Sequence, residues 1–108
     1  MIARQPYLKN GQKIPSNKVS ETAYHIVVKG KVQGVFYRKS TYKKAIELGL
    51  KGWVRNLESG EVEIEAEGQV EAIRQLMDWC EEGPKNAVVS EVDSQEITPK
   101  GHGDFRII

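Results

Sequence analysis

Val28-Lys29-Gly30-Lys31-Val32-Gln33-Gly34-Val35-Phe36-Tyr37-Arg38 carries more structural instruction than any other segment of the chain. Alternating apolar residues, Tyr24, Ile26 and Val28, lead into it as a strand with one buried face. Two glycines then open a loop, and the loop gives way to a helix whose first turn holds Arg38. Glycine lets backbone approach a ligand closely, and unpaired N–H groups at a helix start attract anions. An arginine fork at the same mouth matches the oxygens of a phosphate. Strand, loop and helix together read as an oxyanion cradle.

Outward from this segment the pattern alternates between strand and helix periods. The spacing predicts a helix from about Tyr37 to Leu48, with Thr41, Ala45 and Leu48 on one face and Gly49 as its stop. Leu50 to Asn56 reads as a second strand, and Leu57-Glu58-Ser59-Gly60 as a turn. Glu61 to Glu67 alternates glutamate with apolar residues, which predicts a strand with one buried face and one acidic, solvated face, closed by Gly68. A second helix is expected from about Val70 to Glu81, where Val70, Ile73, Met77 and Cys80 recur at helical spacing and Leu76 widens the stripe. Gly83-Pro84 breaks it. Val88 to Ile97 forms a fourth strand and Phe105 to Ile108 a short last one. The order βαββαβ with an added terminal strand argues an α+β sandwich, one antiparallel sheet with two helices on one face.

That topology gathers distant residues. The first two strands, joined by a helical crossover, are expected to run parallel, so their carboxyl ends share one edge. The loop leaves the first strand there, and Asn56 ends the second. Residues 1–21 include Pro6, Asn10, Gly11, Pro15 and Asn17 and show no periodicity. They read as a disordered N-terminal extension ahead of a domain spanning 22–108, with a tail docked on the body, or residues of non-native origin, as the alternatives.

At 108 residues the chain suits one domain with a modest core. No apolar run reaches transmembrane length and no signal-peptide pattern opens the sequence, so no membrane partner is expected. The single cysteine, Cys80, excludes an internal disulfide and fits a reducing cytoplasm. Net charge is +1, yet Lys29 to Arg55 holds eight basic residues and one acidic, while Asn56 to Glu96 holds twelve acidic and two basic. Such a division focuses positive potential near the glycine loop; solvated faces are the ordinary alternative. Neither block has the interleaved aromatics of a nucleic-acid surface. His25 and His102 are solitary, so no metal site is expected. The loop contains no cysteine to serve as a phosphatase nucleophile and lacks the Gly-Lys-Ser/Thr of a Walker A motif.

The segment Gly30-Lys31-Val32-Gln33-Gly34-Val35-Phe36-Tyr37-Arg38 resembles the acylphosphatase signature, roughly G-x-V-Q-G-V-x-[F/M]-R. A second family segment, G-W-V-x-N with a later G-x-V, is matched by Gly52-Trp53-Val54-Arg55-Asn56, Gly60 and Val62. The resemblance covers about residues 22 to 108. Tyr37 departs from the usual Phe or Met and adds a hydroxyl near the arginine.

Taken alone, Arg38 reads as a solvated helical arginine and Asn56 as a turn residue. The resemblance implies more. It gives Arg38 the phosphoryl oxygens, with backbone N–H groups of Lys31, Val32, Gln33, Gly34, Val35 and Phe36 completing the cradle. It gives Asn56 the attacking water. It implies a ferredoxin-like fold and a monomeric, cofactor-free and metal-free hydrolase of acyl phosphates. The competing reading is a non-catalytic module of the same fold that binds a phosphometabolite or RNA. The glutamates of the third strand, Glu61, Glu63, Glu65 and Glu67, speak against a polyanion on the open face.

Overall fold

The computed structural model describes residues 21–108. The expected disordered extension over 1–21 lies outside these residues except for Glu21, which already belongs to the first strand. In chain order the elements are β1 (Glu21–Lys31), α1 (Tyr37–Glu47), β2 (Lys51–Asn56), β3 (Val62–Gln69), α2 (Val70–Cys80), β4 (Val88–Ile97) and β5 (Phe105–Ile107). β1 starts three residues before the alternation Tyr24-Ile26-Val28 becomes visible, because Glu21, Thr22 and Ala23 pair with the end of β3. β3 runs through Gly68 to Gln69, since those pairings continue past the glycine.

The sheet has the order β4-β1-β3-β2-β5. β1 is antiparallel to β3 and β4, and β2 is antiparallel to β3. β5 joins parallel to β2, so the five-stranded sheet is mixed rather than wholly antiparallel. The expected α+β sandwich is otherwise observed. Both helices share one core with one side of the sheet: Ile26, Val28, Val54, Val62, Ile64 and Ala66 meet Tyr37, Ala45, Ile73, Leu76 and Cys80. The helical stripes are narrower than their sequence pattern. Val70, the first residue of α2, stays 43% exposed.

α1 ends as its glycine demands. Gly49 has φ 72°, a left-handed conformation that glycine adopts without a Cβ penalty. The Gly49 N–H donates to Ile46 O at 3.1 Å and the Leu50 N–H to Ala45 O at 2.9 Å, closing the last turn in a Schellman motif. Thr41 donates to Tyr37 O at 2.8 Å from a buried position, a packing role.

The open face of β3 corrects the sequence reading. Glu65 and Glu67 were expected in solvent, yet they are 4% and 8% exposed. Residues 100–102, between β4 and β5, lie over them. The Glu67 carboxylate accepts the backbone N–H groups of Lys100, Gly101 and His102 at 2.8, 2.9 and 2.7 Å. Lys100 Nζ donates to Glu65 at 2.9 Å, and His102 Nε2 lies 2.7 Å from its other oxygen. Glu63 is held by Arg55 and by His25, the latter at 2.6 Å. Alternation identified the face, but a strand pattern alone carries no record of a loop returning from elsewhere to cover it.

Candidate active site

Register places the edge on which the site is built. Val28 of β1 and Asn56 of β2 both pair with Val62 of β3, one on each side. They therefore lie level across the sheet. The chain leaves β1 a few residues beyond Val28, so the loop of residues 32–36 and the end of β2 emerge at the same edge, as the crossover topology predicts.

The two loop glycines have different jobs. At Gly30 a Cβ would stand 2.2 Å from Val88 O, at the point where the β1–β4 register shifts. Gly30 serves a strand-to-strand approach, not a ligand. Gly34 has φ 75° with open space around its Cβ position, so it shapes the loop itself. Phe36 follows with φ 64° and ψ 26°, the one non-glycine residue with positive φ among the described residues. A left-handed residue followed by a helical one converges successive N–H groups into an anion-binding concavity. No side chain caps α1, and its first turn carries no acidic residue. Its first N–H groups thus stay available to an anion, reinforced by the helix dipole.

A cleft of about 330 Å³ opens here, lined by Val32, Gln33, Gly34, Phe36, Tyr37, Arg38, Lys39, Asn56 and Ile107. Arg38 and Asn56, eighteen positions apart in sequence, meet at one mouth. Among the described residues, no acidic side chain lines the cleft and no carboxylate pairs with Arg38. The guanidinium is left for an incoming anion.

A family model described as acylphosphatase matches residues 24–107. An acylphosphatase of Marinobacter nauticus is 60% identical over 84 residues, 77% of this chain and 91% of that one. The solved acylphosphatase of Coxiella burnetii superposes with a TM-score of 0.84 at 46% identity, covering 88% of this chain and all of that one. That of Bacillus subtilis gives a TM-score of 0.79 at 34% identity, covering 81% of this chain and 98% of that one.

The chain belongs to the acylphosphatase family. It is an enzyme of the class that hydrolyses acyl phosphates.

Of the six residues expected to form the acylphosphatase cradle, Val32, Gln33, Gly34 and Phe36 line the cleft. Lys31 ends β1, paired with Val88, and Val35 turns into the core at 7% exposure. The Gln33 side chain has a task its sequence position did not disclose. Its amide donates to Leu57 O at 2.7 Å and Glu61 O at 2.9 Å, tying the loop to the turn that follows Asn56. The Tyr37 hydroxyl is not beside Arg38. It crosses the core and donates to Cys80 O at 2.7 Å, while its ring packs on Trp79 at 5.3 Å. Burial pushes its phenol far up from the ordinary value. Cys80 is likewise a core group, its thiol raised by burial to about 12. Two cleft residues escaped the sequence reading. Lys39 was hidden beside Arg38, and Ile107 enters only through the parallel pairing of β5, where Ile107 stands opposite Val54.

Proposed function

We propose that the cleft hydrolyses acyl phosphates by in-line attack of water at phosphorus, without a metal ion. The observation that carries this reading is the convergence of Arg38, Asn56 and the loop of residues 32–36 on one cleft. Backbone N–H groups of the loop and the Arg38 fork hold the phosphoryl oxygens, and these donors strengthen as charge grows in the transition state. The Asn56 carboxamide accepts from a water and aims it at phosphorus. A carboxamide orients but is a poor base, so the water's proton passes to a phosphoryl oxygen of the substrate. The bond between phosphorus and the acyl oxygen breaks, releasing a carboxylate and inorganic phosphate. Phosphate binding alone would need Arg38 and the loop but not Asn56, which favours the enzyme over a binding module. The strap over Glu65 and Glu67 replaces charge repulsion as the reason against RNA, since it covers the middle of the open face.

Among the described residues no three of His, Cys, Asp and Glu are grouped as a metal site, and whether hydrolysis needs a metal is decided by the EDTA arm of the experiment below. No described helix is long and apolar enough to cross a membrane. We place the enzyme in the cytoplasm as a monomer on its single buried thiol and small size, and light scattering tests the second point. Hydrolysis in oxygen-18 water with EDTA present tests the mechanism. The expected result is undiminished phosphate release with the label in phosphate. Label in the carboxylate would mean attack at the acyl carbon and would remove Asn56 from its role.

A further inference from the structure

Once the phosphoryl group sits in its cradle, the acyl group must extend along the rest of the cleft. What remains of the lining is limited. Tyr37 has its hydroxyl committed to Cys80 O, which leaves Phe36, Ile107 and the head of Lys39. Phe36 is 75% exposed and Ile107 is 43% exposed, so two large apolar side chains face water at the mouth of the site. Phe36 reaches that position through a left-handed backbone, uncommon for a bulky residue and held only where the surroundings enforce it. The conformation turns the ring outward instead of into the core. Ile107 sits on the same side of the sheet as the buried Phe105 two residues earlier. It extends the core-facing side of β5 past the cover of α1 to the cleft.

We propose that Phe36 and Ile107 form an acyl-group subsite, so that the enzyme selects acyl phosphates with an apolar, branched or aromatic acyl group. The inference rests on the acyl-phosphate reading above and names the substrate class within it. Burying the acyl carbons removes the exposed faces of both side chains from water, which favours longer apolar groups over acetyl.

Three substrates of similar reactivity at phosphorus separate the possibilities: acetyl, 3-methylbutanoyl and succinyl phosphate, each assayed as kcat/KM on the full chain. The expected preference for 3-methylbutanoyl over acetyl phosphate is about tenfold, a few carbons' worth of discrimination on a half-open wall. Ile107→Ala and Phe36→Asn should each bring that ratio to within about twofold of unity, and Ile107→Ala, which lies outside the loop of residues 32–36, should leave inhibition by inorganic phosphate as in the wild type. Asparagine tolerates the left-handed region, so Phe36→Asn keeps the loop conformation. Ile107→Ala supplies the answer if the loop variant fails to fold. A wild-type ratio near unity overturns the subsite. So does a ratio unmoved by either variant, or phosphate inhibition weakened while the ratio holds. A preference for succinyl phosphate would assign the wall to Lys39 and also overturn it. No turnover of any of the three would sink the acyl-phosphate reading itself, an outcome distinct from equal turnover of all three.

Discussion

Arg38 owes its availability to what surrounds it. In a helix facing open solvent, a guanidinium beside carboxylates would be spent on ion pairs; in this cleft the described lining has no acidic residue. Arg38→Ala should therefore lower kcat/KM by at least about a hundredfold and weaken inhibition by inorganic phosphate. Arg38→Lys should restore little, because an ammonium is a point charge without the fork. Wild-type phosphate inhibition in a folded Arg38→Ala protein would remove Arg38 from the cradle. For Asn56 the expected signature differs. Asn56→Ala should lower kcat by about a hundredfold with phosphate inhibition nearly unchanged, since water positioning matters in the transition state. A collapse of phosphate affinity with kcat intact would make Asn56 a binding residue. Both residues were legible in the sequence because local motifs carry them. The direction of the Tyr37 hydroxyl was not, since its acceptor, the Cys80 carbonyl, lies forty-three residues away.

Between elements, the tie that matters to the site is the Gln33 amide. Both of its N–H donors meet carbonyl oxygens of the β2–β3 turn, at Leu57 and Glu61. The turn is closed on itself by the Leu57 N–H donating to Glu61 O at 2.8 Å, so Gln33 fastens the loop of residues 32–36 to a hydrogen-bonded turn next to Asn56. Gln33→Ala should destabilise by about 1–2 kcal/mol, the range for two part-buried neutral hydrogen bonds. For a domain of this size that lowers Tm by roughly 4–16 °C. Gln33→Glu should be worse, because an acceptor-only carboxylate would face two carbonyl oxygens. Calorimetry on the two variants decides it: a Gln33→Glu protein as stable as wild type would show that the amide does not hold the turn. The strands and helices themselves were legible because periods of 2 and 3.6 survive in short segments. The strap of residues 100–102 has no period: it meets Glu67 through backbone N–H groups that any residue would supply, and Glu65 through the side chains of Lys100 and His102, far from β3 in sequence.

Across the whole molecule, the acidic and basic halves of the sequence are folded against each other on the open face of the sheet. Lys29 reaches Asp93 at 3.1 Å, Arg55 meets Glu63 while lying 5.2 Å over the Trp53 ring, and Lys100 and His102 meet Glu65. That β1 and β2 run parallel was legible from the helical crossover between them; the parallel edge strand β5 was not, because three residues leave no alternation from which to read a partner. The face carries a pH dependence whose sign follows from Glu65. Burial alone would raise its carboxyl, but His102 and Lys100 outweigh burial and hold it below its ordinary value of 4.5. The unfolded chain therefore takes up a proton at Glu65 before the folded protein does. The stabilisation is complete above about pH 4.5 and fades as pH falls through the lowered folded value. Glu63, held down against burial by His25 and Arg55, acts in the same direction. His25 also pairs in register with Glu65, so the group is faced by β1, β2 at Trp53, and the strap. Glu65→Gln should cost about 1–3 kcal/mol at pH 7, the range for hydrogen bonds to a charged group. Urea unfolding of both proteins at pH 7, 5, 4 and 3 should show that difference steady down to about pH 5 and closing below it, as wild-type Glu65 becomes neutral too. A difference that stays constant to pH 3, or widens, would mean that Glu65 stabilises by shape and packing and that its charge contributes nothing to holding the strap on the sheet.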